Sequence, residues 1–477
     1  MKIKFCGAAQ TVTGSCYLLT LDDGYTILMD AGFYQGSKKE FNDFNRLWLF
    51  NPREIDCMVL SHAHVDHCGR IPKLVKDGFK GNIFCTSATR DLAAMMLLDS
   101  AKIQERDAYY SNKRRKKRGE SQDVVPIYVT RDAKNCMRNF VAIGYDKLHK
   151  INDKVSVKFR DNGHILGSAS ITLRIKIGSK EISLGFTGDI GKPQRPILKD
   201  PSAMDDLDFL LCESTYGGRV HGKKSDNSRN LLNIVNETCV KNKGKLLIPA
   251  FSVGRTQEIV HSLDRLETEG KLPRIPVYVD SPMATNATDI FKLHPECFDD
   301  EIMNYMLTDP NPFGFANLKY IRKVEDSKNL NTSKGPAIII SASGMITAGR
   351  IRHHVFNNIE NENTTILIVG YCAPGTLGAI LRNGAKRVRI FRKDLRVKAR
   401  IEVLDSFSAH ADQTEMIEFL SNLNRERLKS LFLVHGEKDQ QEMFKSALKN
   451  HGFSNIRIPK LNEEFTLRMP ASTKKLL

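Results

Sequence analysis

The chain has 477 residues, of which 41% are hydrophobic and 27% charged, and its 72 Lys plus Arg outnumber 55 acidic residues for a formal net charge of +17. At roughly 150 residues per domain this is material for several cores, and the composition excludes a disordered or fibrous chain. The ten cysteines form no C-x-x-C pair and no apolar run approaches bilayer width, which excludes a zinc ribbon, a disulfide framework and a membrane span. MKIKFCGAAQ lacks the apolar centre of a signal peptide, so a reducing cytoplasm is the expected location. The basic excess favours a polyanionic partner.

Residues 3–35 alternate apolar runs with glycines, and DDG at 22–24 marks a hairpin. The strand TILMD ends at Asp30, whose carboxylate can orient a ligand imidazole by accepting its second N–H, or can close a turn on its own backbone. CMVLSHAHVDHCGR at 57–70 runs from a buried strand into His62, His64, Asp66 and His67. On an extended backbone His62 and His64 point the same way and can grip one ion. Asp66 and His67 diverge unless the chain turns there, in which case they can hold a second ion beside the first. Imidazole with carboxylate suits zinc, with manganese and iron as alternatives.

IPKLVKDGF and SATRDLAAMMLLDSAKIQERDAYYS are predicted helices, separated by the strand NIFCTS. KRRKKR at 113–118 is predicted to be a solvated loop that its own charges keep disordered, with a phosphate-contacting arm as the functional alternative. Two further strand tips carry ligand types: His164 after Asn162-Gly163, and Asp189 between glycines, where Gly163, Gly188 and Gly191 let the backbone turn sharply. With residues 62–67 they complete the inventory of a dinuclear site. LDFLLCESTYGGR brings another buried strand to Glu213.

From about 217 the texture changes. HGKKSDNSRN reads as a polar loop, and the strands KLLIPAF, IPVYVD, AIIISAS and TILIVGY then alternate with helices such as TQEIVHSLDRLE. This predicts a mostly parallel sheet covered on both faces. Its strands end in small-residue loops at 251–255, 280–284, 341–350 and 373–378. Their backbone N–H groups, with Ser252, Arg255, Ser343, Arg350, Gly375 and Thr376, suit a phosphate backbone. A basic, strand-rich passage then ends at His410, and SLFLVHGEKD repeats the strand-to-ligand design at His435. MPASTKKLL is expected to be a frayed tail.

Taken together, SHAHVDHCG resembles the HxHxDH signature of the metallo-β-lactamase superfamily, and Asp30, His164 and Asp189 match its other motifs in order. Glu213 in ESTYGGR, His410 in FSAHADQ and His435 in LVHGE match the additional motifs of the β-CASP subgroup, which contains the polyadenylation cleavage endonuclease and ribonuclease J. The resemblance covers nearly the whole chain. It implies a mixed α/β fold, an αββα sandwich built from residues 1–216 and 395–477, with a β-CASP domain of parallel sheet and flanking helices inserted at 217–394. No appended RNA-binding module is expected. One departure is Ala379 in GTLGAIL, where many relatives carry a basic residue.

The resemblance further implies a zinc-dependent ribonuclease that hydrolyses phosphodiester bonds in RNA processing or decay, as an endonuclease or also 5′→3′. His62, His64 and His164 would hold one of two zinc ions (or manganese), Asp66, His67 and His435 the other, and Asp189 would bridge them. His410, oriented by Glu213, would protonate the leaving 3′-oxygen, and Asp30 would fix the histidine loop from behind. His435 as the last motif histidine favours RNA. The expected partner is single-stranded RNA, with a homodimer left open. Three alternatives stand beside this reading: a DNA nuclease of the same subgroup, a thioester or lactam hydrolase, and a catalytically inactive scaffold.

Overall fold

The computed structural model describes residues 1–36, 38–120, 123–220, 227–370, 372–373, 375–404 and 409–468. The tail at 469–477, most of the loop at 221–226 and the start of the FSAHADQ motif therefore lie outside the described residues. The chain divides into two compact units, one of 1–194, 199–220 and 410–477 and the other of 195–198 and 221–409.

The first unit contains two seven-stranded sheets. One has the order Glu464–Thr466, Lys2–Phe5, Tyr17–Thr20, Thr26–Met29, Cys57–Val59, Asn82–Cys85, Phe140–Ala142. The other runs Ile456–Arg457, Ser430–Val434, Phe209–Glu213, Lys180–Phe186, Ala169–Ile177, Val155–Asp161, His149–Lys150. Lys2–Phe5 pairs antiparallel with Glu464–Thr466, so both ends of the chain share one sheet. Alternation along the strands sends Ile27, Met29, Val157, Phe159, Ile171 and Phe186 into one common core. Rings meet across it, Phe5 with Phe432 at 5.3 Å and Tyr17 with Phe186 at 5.3 Å. On the far side of the second sheet, Leu210, Leu431 and Leu433 pack against Met416, Phe419 and Leu420 of helix Gln413–Ser421 and Phe444 and Leu448 of helix Lys438–Asn450. Helices Ile71–Lys76, Ser87–Lys116 and Thr130–Cys136 pack together beside the first sheet.

The strand directions decide where chemistry can collect. Thr26–Met29 and Cys57–Val59 are parallel, as are Lys180–Phe186, Phe209–Glu213 and Ser430–Val434. Asp30, the 62–67 loop, Asp189, Glu213 and His435 therefore all leave carboxyl ends of parallel neighbours, where backbone geometry favours a site.

The basic block departs from expectation. Instead of a loop, residues 113–116 complete the 30-residue helix Ser87–Lys116, and only 117–119 turn. A strap at 123–130 holds the helix from behind. The Asn112 side chain accepts from Val124 N (2.7 Å) and donates to Val124 O (3.1 Å), Gln104 accepts from Ile127 N (3.1 Å) and Glu105 from Thr130 N (2.9 Å). Cations in a last turn also favour the negative end of the helix dipole.

The second unit holds a six-stranded sheet in the order Leu318–Tyr320, Val277–Val279, Ala337–Ser341, Lys245–Pro249, Thr365–Val369, Arg400–Leu404. Every pairing in it is parallel. The expected boundary at 394/395 falls short, because Arg400–Leu404 pairs with Thr365–Val369 and extends this sheet. No helix among the described residues is long and apolar enough to cross a membrane.

Candidate metal centre

Three short connections build the centre. After Val59 the chain stays extended through His64 (ψ 147°) and then turns into the four-residue helix Val65–Cys68. That turn brings the adjacent Asp66 and His67 onto a second position next to the first. Gly32 makes room for it: a Cβ there would lie 1.5 Å from the Asp66 carbonyl oxygen. His164 follows Gly163 (φ +60°) and Asp189 follows Gly188 (φ +56°), left-handed conformations that cost glycine little. Asn162 ties the two loops together by donating to Thr187 O (2.7 Å) and Asp189 O (2.5 Å).

The ligand atoms converge in two groups. His62 Nε2 and His164 Nε2 lie 3.1 and 3.2 Å from His64 Nδ1, and 3.5 and 3.6 Å from Asp189 Oδ2. His435 Nε2 lies 3.1 Å from His67 Nε2 and 3.6 Å from Asp66 Oδ2. Asp189 faces both groups, since its Oδ1 is 3.3 Å from His67 Nε2 and 3.3 Å from His435 Nδ1. Oδ1 is buried and accepts no hydrogen bond. A buried carboxylate oxygen without a donor, ringed by imidazole nitrogens, is what a cation site requires and what a hydrogen-bonded core avoids. The residues therefore fit a metal.

The electrostatics say the same. Burial drives His62 well below its ordinary value and His64 down to about 4, which leaves neutral imidazoles with free lone pairs. Burial would raise Asp189, but His435, His67 and His62 outweigh it and hold the carboxyl well below the usual range. Burial likewise opposes protonation of His67, yet Asp189 and Asp30 push it well above its ordinary value. The carboxylates on either side of this buried ring thus create a demand for positive charge at this position.

Behind the ligands, Asp30 is fully buried and accepts from His67 Nδ1 (2.6 Å), Ser61 N (2.8 Å), Ser61 Oγ (2.8 Å) and Ser15 Oγ (3.2 Å). Beside them, His410 Nδ1 lies 3.4 Å from Glu213 Oε1, and Glu213 is fixed by Ile190 N (2.5 Å) and Thr215 N (3.2 Å). Asp189, Glu213 and His410 themselves present ligand atoms close enough to one another to hold an ion. Burial would lower His410, but the Glu213 carboxylate raises it to about 8.

Comparison with known proteins agrees with this geometry. Residues 10–91 match the metallo-beta-lactamase superfamily, 256–381 the Beta-Casp domain, and 394–459 the Zn-dependent metallo-hydrolase RNA specificity domain. Ribonuclease TTHA0252 of Thermus thermophilus is 33% identical over 441 residues, covering 92% of this chain and 94% of that protein. The chain belongs to the β-CASP group of the metallo-β-lactamase superfamily. Transcription termination factor FttA of Methanococcus maripaludis is 31% identical over 92% of this chain and 67% of its own. Integrator complex subunit 11 of Danio rerio is 28% identical over 98% of this chain and 74% of its own.

The residues singled out for phosphate all lie in the β-CASP unit. Ser252 Oγ is 3.4 Å from Ser281 Oγ, and Ser343 Oγ accepts from Thr347 N (3.1 Å) and Ala348 N (3.3 Å). Gly375 takes φ +81°, and Thr376 caps helix Leu377–Arg382 through Ala379 N (3.3 Å). The two arginines carry internal partners. Arg255 is buried and ion-paired to Glu258, which also pairs with Arg195. Arg350 donates to Asp280 (2.7 Å) and to the carbonyls of Ile321 (3.1 Å) and Arg322 (2.8 Å).

Sequence reasoning passed over two hydroxyls of the metal centre. Ser61 Oγ lies 3.1 Å from His62 Nδ1 while it donates to Asp30, and Thr215 Oγ1 lies 3.1 Å from His435 Nδ1. Each fixes a ring whose other nitrogen faces the site. The available signal was position: Ser61 directly precedes the histidines, and Thr215 stands two residues after Glu213.

Proposed function

We propose that this chain is a metal-dependent ribonuclease that hydrolyses phosphodiester bonds of single-stranded RNA, with two zinc ions as its cofactor. The reading rests on one observation above the others: Asp189 lies between a His62, His64 and His164 group and an Asp66, His67 and His435 group. Bound there, a pair of zinc ions lowers the pKa of water and neutralises charge on the phosphate.

This chain's own residues do the rest. Asp30 holds the proton on His67 Nδ1, which keeps Nε2 directed at the site. Ser61 and Thr215 do the same for His62 and His435. His410 is held through Nδ1 by Glu213, so Nε2 is the atom that can carry a proton to the leaving 3′-oxygen. The loops bearing Ser252, Ser343, Gly375 and Thr376 supply hydroxyls and N–H groups to the RNA backbone, while Arg255 and Arg350 brace those loops through Glu258 and Asp280. Contacts of this kind position the substrate without reading its sequence.

The test is digestion of end-labelled RNA and matched DNA, wild type against Asp189→Ala, with zinc measured in both proteins. Loss of RNA cleavage and of bound zinc in a folded variant supports the reading. Retained cleavage excludes it, and preference for DNA replaces the substrate.

A further inference from the structure

The nuclease reading leaves the far end of helix Ser87–Lys116 without a task. We propose that this end is a second RNA-binding surface, a track for single-stranded RNA outside the metal centre. The proposal rests on RNA being the substrate and adds where a longer strand is held.

The helix is a rod anchored at its start and braced along its inner face. Thr86 caps its start and donates to Gly167 O (2.6 Å) in the loop that follows His164. At 1.5 Å per residue Lys113 stands about 39 Å along the axis from Ser87. Its inner face is spent on Ala101, Ala108 and the strap at 123–130.

The outer face repeats one chemistry. Arg106, Tyr110, Lys113 and Lys117 follow one another at spacings of four, three and four, so they share a row, and Tyr109 and Lys116 flank it. All six are exposed. The acidic neighbours are mostly engaged at the edges: Glu105 is turned back to Thr130, and Glu120 takes Arg115 (3.0 Å). Asp107 lies 4.0 Å from Arg106.

A merely solvated charged face would not need the two tyrosines. Tyr109 is 62% and Tyr110 53% exposed, with ring centroids 5.3 Å apart and planes at 75°. Large aromatic surface left in water between cations matches a polymer that offers both phosphates and ring faces. Single-stranded nucleic acid does so, whereas an acidic protein segment offers only charge. Stacking on such a ring is worth about 5- to 150-fold in affinity per base.

The test is fluorescence anisotropy of a labelled uridine 30-mer with the full chain, in EDTA so that no hydrolysis occurs. Two variants are compared with wild type: R106A/K113A/K116A/K117A, and Y109A/Y110A. Neutralising four phosphate contacts flattens the log–log salt slope by about 2.8, so from 50 to 200 mM salt the wild type loses about fifty times more affinity than the variant does. The tyrosine variant should bind at least about five-fold more weakly with the slope unchanged. Wild-type affinity and slope in both variants overturns the track. Displacement of RNA by poly-glutamate, combined with wild-type binding in Y109A/Y110A, overturns it in favour of an acidic protein segment. Should the four-fold variant lose its circular dichroism, the tyrosine variant decides alone. Cleavage enters none of these readouts, so this surface and the nuclease centre fail separately.

Discussion

Replacing Asp30 by Asn isolates how the buried carboxylate sets up the metal centre. Asn is nearly isosteric and tolerates the left-handed backbone of position 30 (φ +57°), so the backbone itself gives no reason for loss. The chemistry does. Asp30 accepts at both oxygens, from Ser61 N at Oδ1 and from His67 Nδ1 and two hydroxyls at Oδ2. Asn has a donor on one side. Against Ser61 N that donor would leave a buried N–H unmet, at about 1–3 kcal/mol. Against His67 it requires the proton to move to Nε2 so that Nδ1 can accept, and the Ser61 and Ser15 hydroxyls to turn from donating to accepting. The second arrangement wins in the metal-free protein. It also places a proton on the atom 3.1 Å from His435 Nε2 and 3.3 Å from Asp189, the lone pair a metal would use. Loss of such an orienting partner costs about 10–100-fold in metal affinity, or about 1.4–2.7 kcal/mol. Competition with a zinc chelator should show that weakening in Asp30→Asn, with circular dichroism confirming that the metal-free variant is folded. Wild-type zinc affinity would refute the reasoning.

Four further outcomes follow from other parts of the structure. Gly32→Ala should lower both zinc content and melting temperature, because the new Cβ meets Asp66 O at 1.5 Å and displaces the turn; wild-type values in both would contradict the close packing. Thr215→Val removes the hydroxyl on His435 Nδ1 and should weaken zinc binding by roughly tenfold without unfolding the chain, read by the same chelator competition. Phe432→Ala removes the ring that packs on both Phe5 and Phe465 and should cost about 3–5 kcal/mol in urea unfolding. Burial pushes the Asp264 carboxyl up to about 7, with Tyr305 donating to Oδ2 at 2.7 Å. A raised acid is a penalty that grows as pH rises from the unfolded value of about 3.9 and is complete above about 7. Asp264→Asn should therefore raise the melting temperature at pH 8 and leave it unchanged at pH 4; an equal shift at both would rule out the buried charge.

The centre was legible where its chemistry is local or where a motif string marks it. The spacing from His62 to His67 carries its own geometry, needing only the turn that helix Val65–Cys68 supplies. His410 and His435 were found as strand-tip residues, and the parallel pairing of 209–213 with 430–434 is what returns His435 to the early cluster. What escaped depends on contacts distant in sequence. The basic block is helical because Asn112 meets Val124, which charge density along the chain does not reveal. Arg350 answers Asp280, seventy positions away, so its type suggested a phosphate while its environment supplies a carboxylate. Arg400–Leu404 joins the β-CASP sheet through Thr365–Val369, which composition cannot mark.

The most direct measurement is anomalous diffraction at the zinc edge from crystals of the purified protein. Two peaks are expected, one among His62, His64 and His164 and one among Asp66, His67 and His435, with Asp189 between them. A single peak, or two peaks that leave Asp189 unliganded, would contradict a shared-carboxylate centre.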